Sequence, residues 1–350
     1  MKILIIQQKM IGDVLMSTIL FEAIKKKYPN YELHYLINTH TEPVVRNNPF
    51  IDKILFYSPE IEGSKRQFLK FLLGIRDSKY SAVIDVYGKL PSLLFTEFSG
   101  TNLKIGFLKS YTKSIYTHSI KRTKIPSQGV SLAIENRLKL LEPLDIPFEN
   151  ISPKLYVSSD EKEDAREFLL KGGLNLEKPV LMVSAIGSID SKTYPLNYMA
   201  KVLDDLVRIR PDFQIVFNYI PSQLQQAQEL YNLCKKETQE KIYIELYCHS
   251  LRHFISVLTQ CRAIIGNEGG AINIAKALNI PSFTIFSPHI GKKNWHGKVE
   301  NEKNVAIHLE DYISKDEFDK KSSKKQFDLY YSKLKPELFS NKLEDFLKSL

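Results

Sequence analysis

The fold is decided by the first 29 residues, which read MKILIIQQKMIGDVLMSTILFEAIKKKYP. Residues 2–7 form an apolar, β-branched run that is typical of a buried parallel strand. Gly12 turns the chain, and apolar side chains then recur with helical spacing over residues 14–27. Three lysines end this helix before Pro29, where they suit the negative end of the helix dipole.

Strand and helix signals alternate along the rest of the first half. Buried strands are predicted at residues 32–37, 54–57 and 82–86, and a basic amphipathic helix at residues 65–76. This β-α-β-α-β order predicts an α/β fold with an open, doubly wound parallel sheet.

The second half restarts the pattern after a crossover near residues 153–158. Its predicted strands are residues 179–185, 213–218, 241–246, 263–266 and 282–286, and its predicted helices are residues 160–171, 197–208, 221–236, 251–261 and 270–278. We therefore predict two Rossmann-like, doubly wound domains facing a cleft, at residues 1–155 and 156–315. A charged helical tail at residues 316–350 is expected to pack back on one of them.

The net charge of +9 predicts partners that carry negative charge, namely nucleic acid, an anionic membrane face or phosphorylated small molecules. Nucleic-acid-binding motifs are missing, so we expect no nucleic acid partner. The basic residues between Lys104 and Lys124 have no acid among them and alternate with aromatic residues, which favours an anionic membrane surface. No apolar run approaches the length of a membrane span, so any membrane contact is expected to be peripheral.

Cysteine and histidine spacing predicts neither a disulfide framework nor a metal site. The three cysteines lack CxxC spacing, which fits a reducing cytoplasm. His249 and His253 are four residues apart but have no third ligand type nearby. The absence of GxGxxG after the first strand and of GxxxxGK[ST] removes the main support for a nicotinamide enzyme or a P-loop NTPase.

The loop at residues 7–14 follows the first strand, where open α/β sheets bind their ligands. Here Gly12 turns the chain and Asp13 stands at the start of a helix. One interpretation of Asp13 is a general base that faces the cleft between the domains. The other is a helix cap without a chemical role.

Two further loops occupy the same position in the second domain. Residues 183–195 are rich in small and hydroxylated residues, which let backbone amides approach phosphate oxygens, and Lys192 there is either a phosphate ligand or a solvated lysine. In residues 265–278, two glycines open a helix whose amides form an anion site, with Glu268 beside them.

At these three loops the chain resembles the ADP-heptose:lipopolysaccharide heptosyltransferases, glycosyltransferase family 9, which have the GT-B fold. Residues 11–18 resemble the family's N-terminal signature, and the resemblance implies that Asp13 is the catalytic base. Residues 187–195 resemble its phosphate loop, with Tyr194 in place of the usual tryptophan. Residues 266–281 resemble its Asp-Thr-Gly-x-x-His motif and the helix and proline that follow.

The third motif departs from the family pattern. Glu268 replaces aspartate, Gly269 replaces threonine and Asn273 replaces histidine, and the acidic residue expected near Ser222 to bind ribose is absent. These changes lie on the donor side. The fold and the reaction type stay as the resemblance implies. The identity of the donor stays open.

Together these features predict an inverting, metal-independent glycosyltransferase that needs no cofactor besides its nucleotide-sugar substrate, with ADP-heptose as the implied donor. The catalytic residues are Asp13 and Lys192, and the remaining site residues are donor-binding Gly187, Ser188, Glu268, Gly269, Gly270 and Asn273 and acceptor-side Gly12, Lys109 and Lys113. The expected acceptor is a phosphorylated, lipid-linked saccharide of the lipopolysaccharide core or a related glycan. The expected location is cytoplasmic, at the inner face of the bacterial inner membrane.

Two alternatives remain open at this stage. One is a GT-B enzyme of the nucleotide-sugar epimerase type, which breaks the same bond without an acceptor. The other is a non-catalytic carbohydrate- or membrane-binding relative, whose hallmark would be the loss of Asp13 or Lys192, and both residues are present.

Overall fold

Two parallel β-sheets organise the chain, one in each of two units, Met1–Tyr156 (unit 1) and Val157–Leu350 (unit 2). The computed structural model describes residues 1–297, 303–314, 317–318 and 326–350. The two predicted Rossmann-like domains are confirmed in their sheet architecture. Among the described residues, no helix is both long and apolar enough to cross a membrane.

The sheet of unit 1 has six parallel strands in the order β3-β2-β1-β4-β5-β6. Their bounds are β1 Lys2–Ile6, β2 Glu32–Asn38, β3 Lys53–Tyr57, β4 Ala82–Asp85, β5 Lys104–Phe107 and β6 His118–Ile120. The helices of this unit are α1 Ile11–Lys27, α2 Pro59–Gly63, α3 Lys65–Asp77, α4 Leu90–Phe98 and α5 Leu132–Leu138. The strand order reverses between β1 and β4, so the loops that follow these two strands lie at the switch point where such sheets bind ligands.

The sheet of unit 2 has five parallel strands in the order β11-β10-β9-β7-β8. Their bounds are β7 Val180–Ser184, β8 Gln214–Phe217, β9 Ala263–Asn267, β10 Ser282–Ile285 and β11 Asn304–Ile307. The helices are α6 Ser159–Lys171, α7 Leu196–Ile209, α8 Leu224–Leu233, α9 Lys236–Gln239, α10 Leu251–Leu258, α11 Gly270–Ala277, α12 Phe327–Lys333 and α13 Ser340–Lys348. Here the switch point falls between β7 and β9.

Burial explains why the strand predictions succeed. The residues of β1 from Ile3 to Ile6 and every residue of β4, β7 and β9 are buried, as expected for strands covered on both faces. Helix α1 is also buried from Val14 to Ile24, so its apolar residues are not confined to one face.

Two predicted elements of unit 2 are wrong. The helix predicted at residues 221–236 is interrupted, because Cys234 adopts an extended backbone between α8 and α9. The strand predicted at residues 241–246 forms only one parallel bridge, between Ile242 and Ile215. The chain then turns, with the Leu246 amide donating to the Tyr243 carbonyl at 3.1 Å, so the ladder does not extend.

The C-terminal tail belongs to the core of unit 2. Tyr331, Phe339 and Phe346 are buried there, and rings of the tail pack against Tyr194 and Phe283. The hydroxyl of Tyr194 donates to the carbonyl of Leu334. Residues 316 and 319–325, in the first part of the predicted tail, lie outside the described residues.

Candidate functional site

Asp13 stands in the first turn of α1, three residues after the N-cap Met10, at the end of the short loop that follows β1. No side-chain hydrogen bond caps the helix at Met10. Instead, Arg137 Nη2 donates to Asp13 Oδ1 at 2.7 Å. The Asp13 side chain is 35% exposed. The carboxylate is therefore held by Arg137 but remains accessible. Position near the positive end of the helix dipole also favours a carboxylate here.

Arg137 is buried and fixed along its whole guanidinium. Its Nε donates to Ser17 Oγ at 2.9 Å, and its Nη1 donates to the Ala133 carbonyl at 2.8 Å. Ser17 Oγ in turn donates to the Asp13 carbonyl at 2.8 Å. Helix α5 thus presents a rigid cation to the first turn of α1, and Asp13 is oriented by a side chain that the sequence analysis did not identify.

A second polar cluster lies at the neighbouring strand end of the switch point. Asp85, the last residue of β4, is fully buried and accepts hydrogen bonds from the Gly88 amide, Ser92 Oγ and Tyr116 Oη, each at 2.8 Å. Burial raises the pKa of the Asp85 carboxyl, and these hydrogen bonds act in the opposite direction. Asp85 therefore fixes the loop between β4 and α4.

The predicted acceptor-side residues differ in their surroundings. Lys109 Nζ donates to the Gly88 carbonyl at 2.7 Å, so its ammonium is bound to the loop that Asp85 fixes. Gly88 has a positive φ of 58°, which favours glycine there. Lys113 is exposed, and Gly12 is buried within the first turn of α1.

In unit 2, Asn267 joins the two loops of the switch point. This fully buried residue ends β9 and donates to the carbonyls of Ser184 and Ala185 at 2.9 Å and 2.8 Å. Its Oδ1 accepts from the amide of Tyr194 at 2.7 Å. One amide side chain therefore satisfies three buried backbone groups and ties the loop after β7 to the end of β9.

The loop after β7 is tightly folded around Gly187. A Cβ at this position would lie 2.4 Å from the carbonyl oxygen of Lys192, so only glycine fits. The Gly187 amide donates to Thr193 Oγ1 at 3.1 Å, and its carbonyl accepts from Gln223 Nε2 at 2.9 Å. Ser188, at the outer end of the loop, is exposed. The loop is therefore preformed, as a phosphate-binding loop needs to be.

Lys192 and Glu268 form an ion pair, with Lys192 Nζ 3.1 Å from Glu268 Oε1. The Lys192 side chain is 27% exposed, whereas that of Glu268 is 7% exposed. Of the two interpretations of Lys192, the freely solvated lysine does not fit this geometry. The predicted donor-side residues Lys192 and Glu268 are brought together by the two loops that follow β7 and β9.

Helix α11 begins two residues after Glu268, with Gly269 as its N-cap. A Cβ at Gly269 would meet no atom within 4 Å, so the approach to the first turn is open. The first amides of a helix have no partner within it and carry partial positive charge. Asn273 lies one turn into α11 and is partly buried. The arrangement can receive an anion such as a diphosphate.

Sequence reasoning missed Arg137, Asp85 and Asn267. Each acts through contacts between residues far apart in the chain, and Arg137 is 124 residues from Asp13. For Asp85 and Asn267 a signal was present, because both end a buried strand next to the switch point. For Arg137 the sequence offers no such signal, since α5 is a short helix without a recognisable motif.

The chain is similar to known glycosyltransferases over most of its length. The family model "Glycosyltransferase family 9 (heptosyltransferase)" matches residues 68–327. Lipopolysaccharide heptosyltransferase 1 of Campylobacter coli is 28% identical over 298 residues, which cover 82% of this chain and 84% of that protein.

Solved structures agree in fold. The crystal structure of a glycosyl transferase family 9 protein from Veillonella parvula superimposes with a TM-score of 0.83 at 16% identity, covering 100% of this chain and 98% of that one. The Escherichia coli ADP-heptose lps heptosyltransferase II gives a TM-score of 0.74 at 19% identity, covering 100% and 99% of the two chains. The predicted GT-B class of fold is confirmed by these likenesses. With its family model matched over residues 68–327, the chain belongs to glycosyltransferase family 9, the heptosyltransferases, and is a glycosyltransferase.

Proposed function

We propose that this enzyme transfers a heptose from ADP-heptose to a growing lipopolysaccharide core or a related glycan. Family membership supports the sugar class, and the printed names of the Campylobacter and Escherichia relatives support the donor and the acceptor. The observation that carries the chemistry is Asp13, an accessible carboxylate that Arg137 orients at the carboxyl end of β1.

The donor binds to unit 2 in this proposal. Lys192 and the first amides of α11 supply positive charge for the diphosphate, and the folded loop around Gly187 lets backbone amides approach its oxygens. Glu268, buried beside Lys192, keeps the lysine in place before the donor arrives. Glu268, Gly269 and Asn273 differ from the family pattern, so this enzyme is expected to hold the same donor with side chains that differ from those of its relatives.

The transfer is a single displacement with inversion. Asp13 accepts the proton of an acceptor hydroxyl while that oxygen forms a bond to the anomeric carbon of the sugar. The bond between the anomeric carbon and the phosphate oxygen breaks, and the nucleoside diphosphate leaves with the electron pair. Lys192 and the α11 dipole stabilise the negative charge that develops on the leaving group, so the protein itself provides the charge that a metal ion supplies in other enzymes.

The acceptor in this proposal is a phosphorylated, lipid-linked saccharide at the cytoplasmic face of the inner membrane, which the enzyme meets peripherally. The positive net charge of +9 supports an anionic acceptor and an anionic membrane. Lys113 is the exposed basic side chain among the acceptor-side residues, whereas Lys109 shapes the loop at Gly88.

A transfer assay with defined donors and acceptors tests the proposal. Purified enzyme is incubated with ADP-heptose, the matching GDP- and UDP-sugars, and a deacylated, water-soluble core acceptor, with and without EDTA. We expect acceptor-dependent release of ADP, a product of inverted anomeric configuration by NMR, and no loss of rate with EDTA. Donor turnover without any acceptor, with formation of an epimeric sugar, would instead support an enzyme of the epimerase type and refute the proposal.

A further inference from the structure

Helix α3 has apolar residues on two faces. Leu72 and Ile75 are buried in the core of unit 1, as the inward stripe of an amphipathic helix should be. On the outward side, Leu69 and Leu73 lie one turn apart and are 53% and 44% exposed. Two exposed leucines on adjacent turns of one short helix form a second apolar stripe, which the packing of the unit does not use.

Cations flank this outer stripe on both sides. At 100° per residue, Leu69 and Leu73 fall between Arg76 and Lys65 on one side and Arg66 and Lys70 on the other. All four cations are exposed, and among the described residues none of them forms an ion pair with an acid. Asp77, at the end of the helix, is the one acid of α3.

The other basic segment of unit 1, residues 104–124, makes more contacts within the unit. Lys104 Nζ lies 2.6 Å from Glu97 Oε2, and Lys109 Nζ is bound to the Gly88 carbonyl. The guanidinium of Arg122 stacks 3.6 Å from the centre of the Phe107 ring. Three of the six cations between residues 104 and 124 therefore take part in the packing of unit 1, whereas all four of α3 are available.

An apolar groove adjoins the same helix. It has a volume of about 570 Å³. Its apolar lining comes from Leu55, Ile61, Phe71 and Ile75, and Lys53 and Lys70 also line it. Leu55 and Lys53 come from β3, an edge strand of the sheet. The groove lies on the side of α3 opposite to Leu69 and Leu73, neither of which lines it, and Lys53 and Lys70 place two ammonium groups beside it.

We propose that α3 is the membrane-docking element of this enzyme and lies on an anionic lipid surface. Leu69 and Leu73 enter the boundary between headgroups and acyl chains, and Lys65, Arg66, Lys70 and Arg76 bind the lipid phosphates. Apolar residues flanked by unpaired cations match a bilayer that is apolar inside and anionic at its surface. The inference rests on the proposed action at a membrane, and it names the surface that makes the contact.

Vesicle co-sedimentation tests this docking surface. The full chain is mixed with phosphatidylcholine vesicles, or with vesicles of phosphatidylcholine and phosphatidylglycerol, at low and high salt. We expect binding to the anionic vesicles only, and weakening at high salt because the attraction is screened. Leu69→Ser with Leu73→Ser, and separately Arg66→Glu with Lys70→Glu, should each weaken binding at least tenfold.

Matched controls lie on exposed helices and loops of unit 2. Leu170→Ser with Leu233→Ser, and Lys162→Glu with Lys178→Glu, make the same changes at exposed positions and should leave binding within twofold. All variants should retain the melting temperature, since the side chains changed are exposed, and should retain transfer to the deacylated acceptor. That second assay separates a failed docking surface from a failed proposed function, because it needs no membrane.

Three results would overturn the inference. Vesicle binding that survives both α3 variants would place the contact elsewhere. Equal binding to neutral and anionic vesicles would remove the role of the cations. Self-association of the wild type in light scattering, lost in the leucine variant while vesicle binding persists, would assign the stripe to a second copy of the chain.

Discussion

Arg137 on α5 holds Asp13 on α1 through a contact of 2.7 Å between Nη2 and Oδ1, across 124 residues of sequence. The guanidinium is buried and has further bonds to Ser17 and to the Ala133 carbonyl, so it cannot follow a moving carboxylate. Asp13 is thereby fixed by a rigid support and remains partly exposed to a substrate. This is the arrangement expected of a positioned base rather than of a surface acid.

The first prediction concerns the proton transfer assigned to Asp13. Asp13→Asn should keep the fold and the affinity for ADP but lower turnover about 10²- to 10⁴-fold, the usual contribution of general base catalysis. The measurement is the transfer rate under saturating donor, alongside calorimetric ADP binding and the melting temperature.

A matched control for this variant is Asp160→Asn, which removes a first-turn acid from α6. Its loss should cost about 0.3 to 1 kcal/mol through the helix dipole and leave the rate unchanged. If folded Asp13→Asn enzyme had nearly wild-type turnover, Asp13 would only interact with the helix dipole, as Asp160 does. That result would refute the proposed mechanism.

The second prediction concerns Arg137 as a positioning residue. Arg137→Lys keeps the charge but loses the fork that reaches Asp13, Ser17 and the Ala133 carbonyl together. We expect kcat to fall about 10- to 100-fold through misplacement of the base, with the KM for the donor unchanged. Arg208→Lys, at an exposed arginine of α7, is the control. A change confined to the donor KM would contradict a role at Asp13.

Much of this architecture follows from local sequence. The strands that were predicted correctly, such as β1, β7 and β9, are continuous apolar runs because both faces of a parallel strand are buried. The strand predicted at residues 241–246 is wrong, because composition alone does not decide which segments pair. Its composition suits a strand, but only Ile242 meets β8 before the chain turns, and sheet partners are decided by tertiary contacts.

The candidate site was predictable only in part. Asp13 and Lys192 follow strands at a switch point, so their position in the sequence indicates their place in the fold. Their partners are less accessible to prediction. Arg137 comes from a distant helix, and the pairing of Lys192 with Glu268 depends on how two loops fold against each other.

The third prediction concerns Asn267, which holds the loop after β7. Asn267→Ala should leave the Tyr194 amide and the carbonyls of Ser184 and Ala185 without their partner in a buried setting. We expect a loss of about 2 to 4 kcal/mol in the free energy of unfolding, together with weaker ADP binding. Chemical denaturation and calorimetry measure both. Asn232→Ala, at an exposed position, is the control, and an equally small effect of both would contradict the assigned role.

The fourth prediction is that stability depends on pH through the contact between Glu161 on α6 and Arg252 on α10. Arg252 Nη2 donates to Glu161 Oε2 at 2.7 Å, and this hydrogen bonding lowers the pKa of Glu161 from its ordinary value of 4.5 to about 2. A lowered pKa in the folded state means that the stabilisation is complete above about pH 4.5 and is lost as the pH falls towards 2.

Glu161→Gln isolates this charge, because glutamine can still complete the capping box with Ser158. The variant should lose about 1 to 2 kcal/mol at pH 7 and approach the wild type near pH 2. Urea unfolding across this range measures the difference. Glu163→Gln removes an exposed pair with Arg166 and should stay within about 0.5 kcal/mol at every pH. Parallel curves for wild type and Glu161→Gln would refute the linkage.

The last prediction separates the structural and catalytic roles of the ion pair between Lys192 and Glu268. Lys192→Met should lower turnover about 10²- to 10³-fold and weaken ADP binding, because one preorganised charge at the leaving group is lost. It should also lower stability, since it leaves the 7%-exposed Glu268 carboxylate without its cation. Lys171→Met, which removes an exposed partner of Glu167, should change neither property.

The double variant Lys192→Met with Glu268→Gln distinguishes the two effects. Neutralising Glu268 removes the uncompensated buried charge, so the melting temperature should recover towards the wild-type value. Turnover should stay as low as in Lys192→Met alone, because no cation faces the diphosphate in either variant. If the pair served only to join the two loops, rate and stability would recover together. Recovery of the transfer rate in the double variant would therefore contradict a role for Lys192 at the leaving group.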